Sequence, residues 1–220
     1  MIEINFMDSF NGSNSRIVEI QKVLKEIKIE SWKKQITEIR NHIYNGDSKK
    51  ADCIKKTLPA FTVSATYKEN RKKENIESYT NLLHLDYDKL DNVKEVKAKI
   101  ISIPNTYAAF ISPSGNGIKV LVKSNNNETT HLYAFNALKE YYDEIIGIGS
   151  DKSVKDVLRL CFVSSDPDLY LNEDAEVFET QSYPNNETKS QKDIKWVWDF
   201  TSNKQQFIVG NRNNFVHLFA

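Results

Sequence analysis

An α+β fold is predicted by three observations: apolar and polar residues alternate through several short runs, apolar residues recur at helical spacing through longer ones, and turn formers punctuate them. Residues 81–164 then read strand, helix, strand, strand, helix, strand. That is the split βαβ order, βαββαβ, of ferredoxin-like and RNA-recognition-motif domains.

Ahead of this core, two amphipathic helices are expected, one with Ile17, Ile20, Leu24 and Ile27 on a stripe, the next with Trp32, Ile36, Ile39 and Ile43. Asn45 and Gly46 stop the second, and a basic, irregular stretch follows. Residues 80–90 form the first core strand, with Leu83, Leu85 and Tyr87 on one face and His84, Asp86 and Asp88 on the other, so the strand ends in acid. Residues 92–102 have helical spacing through Val93, Val96 and Ile100, and Pro104 enforces a break. Residues 107–112 and 118–123 read as a hairpin joined by Ser114, Gly115, Asn116 and Gly117. Leu132, Phe135, Leu138, Tyr142 and Ile145 define a second helix over residues 129–146, with Gly147 and Gly149 as terminators. A fourth strand is expected over residues 158–164. The first domain spans residues 1–180, residues 181–192 read as a linker, and the aromatic segment from residue 193, with Trp196, Trp198 and Phe200, leads into a helix beginning at residue 210 that the chain does not finish.

Composition bounds the function classes. Apolar content of 40% and charged content of 27% suit a globular protein, and no apolar run approaches the roughly 20 residues that span a bilayer, so a cytoplasmic location is expected. Cys53 and Cys161 stand far apart without further ligand pairs, which argues against a disulfide framework or a zinc knuckle; each is expected to be a buried small hydrophobe. Lys plus Arg equals Asp plus Glu at 30 each, so no overall basic charge points to nucleic acid. Charge is unevenly placed, however. Residues 49–73 hold eight basic against two acidic residues, and residues 150–180 hold eight acidic against three basic.

Residues at i and i+2 of a strand share a face, so Asp86 and Asp88 point into one space and repel unless a cation joins them. Mg²⁺ favours hard oxygen ligands and substrate phosphates, and a carboxylate pair supplies the former. A D-x-D by itself is a weak signal, since most such pairs are solvated strand ends. In a ferredoxin-like sheet the fourth strand lies antiparallel beside the first, which brings its approach near the acids, where Asp151 or Asp156 completes a triad. The glycine-rich turn, from Ser112 through Ser114, Gly115 and Gly117 to Lys119, offers backbone N–H groups and a charge to a triphosphate. It lacks the spacing of an ATPase P-loop. Arg159 is either a further phosphate ligand or a partner of Asp156. If the first and third strands were parallel neighbours, Lys119 and the acids would stand apart, to be bridged by an extended triphosphate or by an extra unit that includes the N-terminal helices.

Three blocks carry a resemblance: H-L-D-Y-D-K-L-D at 84–91, Y-A-A-F-I-S-P-S-G-N-G-I-K-V-L-V at 107–122, and D-V-L-R-L-C-F-V-S-S-D-P-D-L-Y at 156–170. Across residues 8–178 the chain resembles the N-terminal domain of virulence-associated protein E-like proteins, and through it primase-polymerases of the archaeo-eukaryotic primase superfamily, carried by plasmids, phages and integrated elements. The resemblance implies an archaeo-eukaryotic primase-like fold with Asp86, Asp88 and Asp151 as the metal-binding and catalytic acids. It also implies that the glycine turn is the nucleotide-binding motif. The superfamily usually has histidine where this chain has Lys119. Lysine neutralises a triphosphate but does not reproduce the proton handling of a neutral imidazole. Residues 210–220 resemble the opening of the small helical module that follows such cores, and a helicase segment often follows in relatives.

The function expected on these grounds is template-dependent nucleotidyl transfer with Mg²⁺ or Mn²⁺. Its partners would be a single-stranded DNA template, tracked by the basic residues 49–73, nucleoside triphosphates, and a helicase. The alternatives are a catalytically inactive nucleic-acid platform for that helicase, motivated by Lys119, and a metal-dependent nuclease using the same acids.

Overall fold

The computed structural model describes residues 1–10, 12 and 14–180. The expected linker and C-terminal helical module lie outside the described residues. Strand β1 (Glu3–Met7) pairs antiparallel with β2 (Arg16–Glu19), which runs straight into helix α1 (Ile20–Lys28). Helices α2 (Lys33–Tyr44) and α3 (Ser48–Lys55) follow, then short strands β3 (Ala60–Thr62), β4 (Ala65–Tyr67) and β5 (Ile76–Tyr79). The central run is β6 (Leu82–Tyr87), α4 (Val93–Ile101), β7 (Thr106–Ile111), β8 (Ile118–Lys123) and α5 (His131–Ile146), after which come β9 (Leu160–Phe162) and β10 (Tyr170–Leu171).

Local chemistry accounts for the central elements. The Asn92 side chain accepts from Glu95 N–H at 3.2 Å and donates back to its carboxylate at 3.1 Å, a reciprocal cap that starts α4. Helix α5 stops at Gly147, whose φ of 79° is left-handed and whose N–H bonds the Asp143 carbonyl at 2.8 Å. The strand at 118–123 falls where its alternation predicts.

Strand partners differ from expectation. The central sheet has the order β10-β7-β8-β6, while β9 pairs with β3 in a second sheet ordered β2-β1-β3-β9. The fourth core strand therefore does not lie beside the first. Phe61 on β3 is fully buried opposite Cys161 on β9, and a three-residue strand that is apolar throughout satisfies either sheet, so its pattern cannot choose the partner. The N-terminal unit is likewise not purely helical: Ile17 belongs to β2, not α1, and the stretch read as basic and irregular carries α3 and β3 to β5. Cys161 is buried as expected, but Cys53 is exposed on α3.

The central sheet is covered on both faces, and its alternation divides the core in two. Leu83, Leu85, Tyr87, Val120 and Val122 pack with Val96 and Ile100 of α4 and with Phe135, Leu138 and Tyr142 of α5. Leu82, Phe110 and Leu121 point the other way, into a core with Ile4, Phe61 and Cys161 of the second sheet and Leu24, Ile27, Ile36 and Ile39 of α1 and α2. The buried layer between the two sheets thus receives every second residue of β6 and β8, among them His84, Asp86 and Lys119. No helix among the described residues is long and apolar enough to cross a membrane.

Two buried imidazoles give the fold a pH dependence. His131 is 3% exposed and lies 2.7 Å from the Tyr79 hydroxyl, and burial holds its ring down to about 4. His84 is 4% exposed, and burial, reinforced by the Lys119 charge, holds it at about 3. Unfolding restores both to an ordinary value near 6.5, so the unfolded chain binds more protons and stability falls as pH drops below that point. The expected slope between pH 6.5 and 5 is up to about 1.4 kcal/mol per pH unit for each histidine. Urea unfolding at several pH values measures it, and His131→Gln should remove about half; an unchanged slope in that variant would show that its imidazole is not held neutral.

Candidate functional site

The site grows from the end of β6. Asp86 is the register partner of Lys119 on the antiparallel neighbour β8, and the two face each other with Nζ 2.5 Å from Oδ2. The separation expected for parallel strands does not arise. Both side chains are nearly dry, at 7% exposed for Lys119 and 13% for Asp86. Burial pushes the Asp86 carboxyl up, but the Lys119 ammonium and its hydrogen bond more than offset this and leave it below the usual range. Burial likewise pulls Lys119 down, and the Asp86 charge restores it above the ordinary lysine value. The pair is a mutually stabilised ion pair.

Asp88 lies just past the strand and has no such counter-charge. Its residue is exposed overall, yet partial desolvation at the strand end, then repulsion from Asp86, raises its carboxyl above the usual range. Its position is fixed by a close approach. A Cβ on Gly117 would fall 2.6 Å from the Tyr87 carbonyl, 2.9 Å from Ser112 Oγ and 3.0 Å from Asp88 Oδ1. Glycine is thus the one residue that lets the turn close onto the strand end. Gly117→Ala is expected to destabilise the fold by about 1–3 kcal/mol through overpacking and to displace Asp88; a thermal midpoint equal to that of the unsubstituted chain would contradict the packing.

The turn is held by its own backbone and from outside. Ser112 N–H donates to the Gly117 carbonyl at 2.9 Å, Gly115 N–H to the Ser112 carbonyl at 3.0 Å, and the Ser112 and Ser114 hydroxyls bond at 2.8 Å. Gly115 takes a left-handed φ of 82° with the Arg40 side chain against it. Arg40, from α2, donates to the carbonyls of Ser112 at 3.3 Å and Ser165 at 3.1 Å. Its Nε is buried without a partner, and burial lowers its pKa. Sequence reasoning missed Arg40. The available signal was a charge adjoining the apolar stripe Ile36, Ile39, Ile43.

Asp151 is brought in by its backbone. Its N–H donates to the Asp86 carbonyl at 2.8 Å, while Asp143, which accepts from the Tyr87 hydroxyl and from Ser150 N–H, each at 2.9 Å, steers the preceding residue. The Asp151 carboxylate itself is occupied, accepting from Ser153 N–H at 2.8 Å and Ser153 Oγ at 2.5 Å. Asp156 instead caps its own turn, accepting from Leu158 N–H at 3.1 Å. Arg159 precedes β9, is exposed, and donates to Ser153 Oγ at 3.1 Å, with no ion pair to Asp156. Lys55 on α3, a member of the basic stretch, adds positive potential at Asp86 and Asp88 and lies 5.2 Å from the centre of the Phe162 ring.

Among the described residues no three His, Cys, Asp or Glu side chains are arranged to hold a metal ion. The expected triad is therefore two acids close together, with the third near in backbone but turned to Ser153. The pair still fits a cation in one respect: Asp86 Oδ1 is buried without a donor, and both ring nitrogens of His84, on the same strand face, are unpartnered. Buried polar atoms left so call for a further group. Asp86 Oδ1 and Asp88 are the oxygens that would hold a hard divalent ion, and the turn residues would hold an anion beside it.

A family model described as BT4734-like, N-terminal domain, matches residues 53–171, just over half of the chain. Neither the curated proteins nor the solved structures contain a match. The matched stretch holds the acids, the turn and β6 to β10; Arg40 lies outside it.

Proposed function

The chain belongs to the BT4734-like N-terminal domain family, and from the geometry at the end of β6, together with the resemblance its sequence blocks carry, we propose that it is a primase-polymerase-like domain that transfers nucleotides on a template. The observation that carries this reading is the convergence of Asp86, Asp88, Lys119 and the Ser112–Gly117 turn at the end of β6. We read the two-layer arrangement, with an N-terminal α/β unit against the β6–β8 sheet, as primase-like.

In this reading Asp86 and Asp88 would hold Mg²⁺ or Mn²⁺, which would supply positive charge for the transfer, in which a hydroxyl bonds to the α-phosphate as the α–β anhydride bond breaks and pyrophosphate leaves. The serine hydroxyls of the turn and the Lys119 ammonium orient and neutralise the triphosphate. Arg40 keeps the turn closed from behind. Arg159 and Lys55 flank the acids with positive charge, and the basic residues 49–73 follow the phosphates of a single-stranded template. The setting inferred from the resemblance to virulence-associated protein E-like proteins is replication of a plasmid, phage or integrated element, alongside a helicase.

A second reading, a template-binding platform without catalysis, is favoured by two contacts: Lys119 already neutralises Asp86, and Ser153 occupies Asp151. Incubation with a single-stranded template, primed or unprimed, labelled ribo- or deoxynucleotides and Mg²⁺ or Mn²⁺ separates the two. Metal-dependent extension is expected. Salt-sensitive DNA binding with no incorporation under either metal would establish the platform instead.

A further inference from the structure

We infer that Lys119 is a tethered cation that competes with the divalent ion for Asp86, so that the site loads metal weakly while the lysine is seated and fully when a polyanion draws its ammonium away. The inference rests on the metal-binding reading above and concerns how that site is controlled.

The register places Lys119 directly across from Asp86, and its Nζ takes Oδ2, one of the two oxygens through which this carboxylate could meet a metal. The other, Oδ1, is buried and has no donor. Asp88, two residues further on and exposed at the strand end, adds a second carboxylate beside Asp86. Two carboxylates and one seated ammonium leave about one negative charge, which attracts a dication only moderately, and an ion arriving at Asp86 meets a like charge at contact distance. Removing that ammonium restores the full charge of the acid pair.

Lysine suits this exchange. Its ammonium is a compact charge on a flexible four-carbon stem, unlike the planar fork of arginine. Lys119 also lies two residues beyond Gly117, so the turn that would seat a triphosphate is the nearest place for the ammonium to go. Metal and polyphosphate should therefore favour one another's binding through a single side chain that cannot serve Asp86 and the anion at once.

The test is Mn²⁺ binding to the full chain without nucleotide, followed by the electron paramagnetic resonance of the free ion, for the unsubstituted protein, Lys119→Met and Lys119→Arg. Competition predicts at least tenfold tighter binding by Lys119→Met and no tightening by Lys119→Arg. If Lys119→Met fails to fold, Lys119→Gln is compared through the rise in thermal midpoint on adding Mn²⁺, which should exceed that of the unsubstituted protein. Equal or weaker binding by the neutral variant overturns the competition and leaves nucleotidyl transfer standing. An absence of Mn²⁺ binding in all forms overturns both.

Discussion

Asp86→Ala is expected to remove about 3–5 kcal/mol of folding stability, because it leaves the Lys119 ammonium buried without its counter-charge. The lysine is 7% exposed and its closest anion is Asp86, so no water shell replaces what the carboxylate supplied. Against a total stability of roughly 5–15 kcal/mol for a domain, such a loss moves the denaturation midpoint far or abolishes the fold. Asp86→Asn retains an acceptor for the ammonium and should lose less. Denaturant unfolding of both variants measures the difference; an Asp86→Ala midpoint within error of the unsubstituted chain would mean that the pair does not form. Loss of activity in Asp86→Ala therefore cannot be separated from loss of structure.

Asp88→Ala separates them. Although Asp88 is exposed overall, partial desolvation and the Asp86 charge raise its carboxyl above the usual range, so its ionisation does not help the folded state. The sign follows from linkage: a carboxyl whose value rises on folding is least favourable when ionised, and its cost is present at neutral pH and disappears as pH falls through the ordinary carboxylate range. Removing it should leave stability within about 0.5 kcal/mol or raise it slightly. If Asp88 holds the metal at the reacting phosphate, nucleotide incorporation should nonetheless fall on the order of 1,000-fold, equivalent to about 4 kcal/mol of transition-state stabilisation. A folded Asp88→Ala protein that extends a template at the original rate would remove Asp88 from the chemistry. Residues that are poor for the fold and indispensable to the reaction are the usual signature of a working site.

The central elements were legible because their own residues specify them. Asn92 caps α4, Gly147 ends α5, and Ile118, Val120 and Val122 alternate through β8. The partners of the short strands were not legible. Ala60–Thr62 and Leu160–Phe162 are three residues each, too short to show a period, and their pairing depends on which sheet has an apolar face to fill. At the site, the sequence brought Asp86, Asp88 and the glycine turn into view through spacing. It could not show that Lys119 faces Asp86, since that contact follows from the antiparallel register of strands more than thirty residues apart. Nor could it show that Asp151 approaches through its N–H while its carboxylate turns to Ser153.

Arg40 ties the glycine turn to the helix layer, and that has a consequence for how the molecule opens. Its guanidinium bonds two carbonyls that lie 53 residues apart in sequence, Ser112 on the turn and Ser165 after β9, from a third location on α2. A turn that swung out alone would strand a partly dehydrated cation, so the cheapest opening moves α2, the turn and the segment after β9 together. Amide protons in those three segments should then exchange with solvent as one cooperative block, which makes the glycine turn part of the rigid body of the protein and not a flap on its surface.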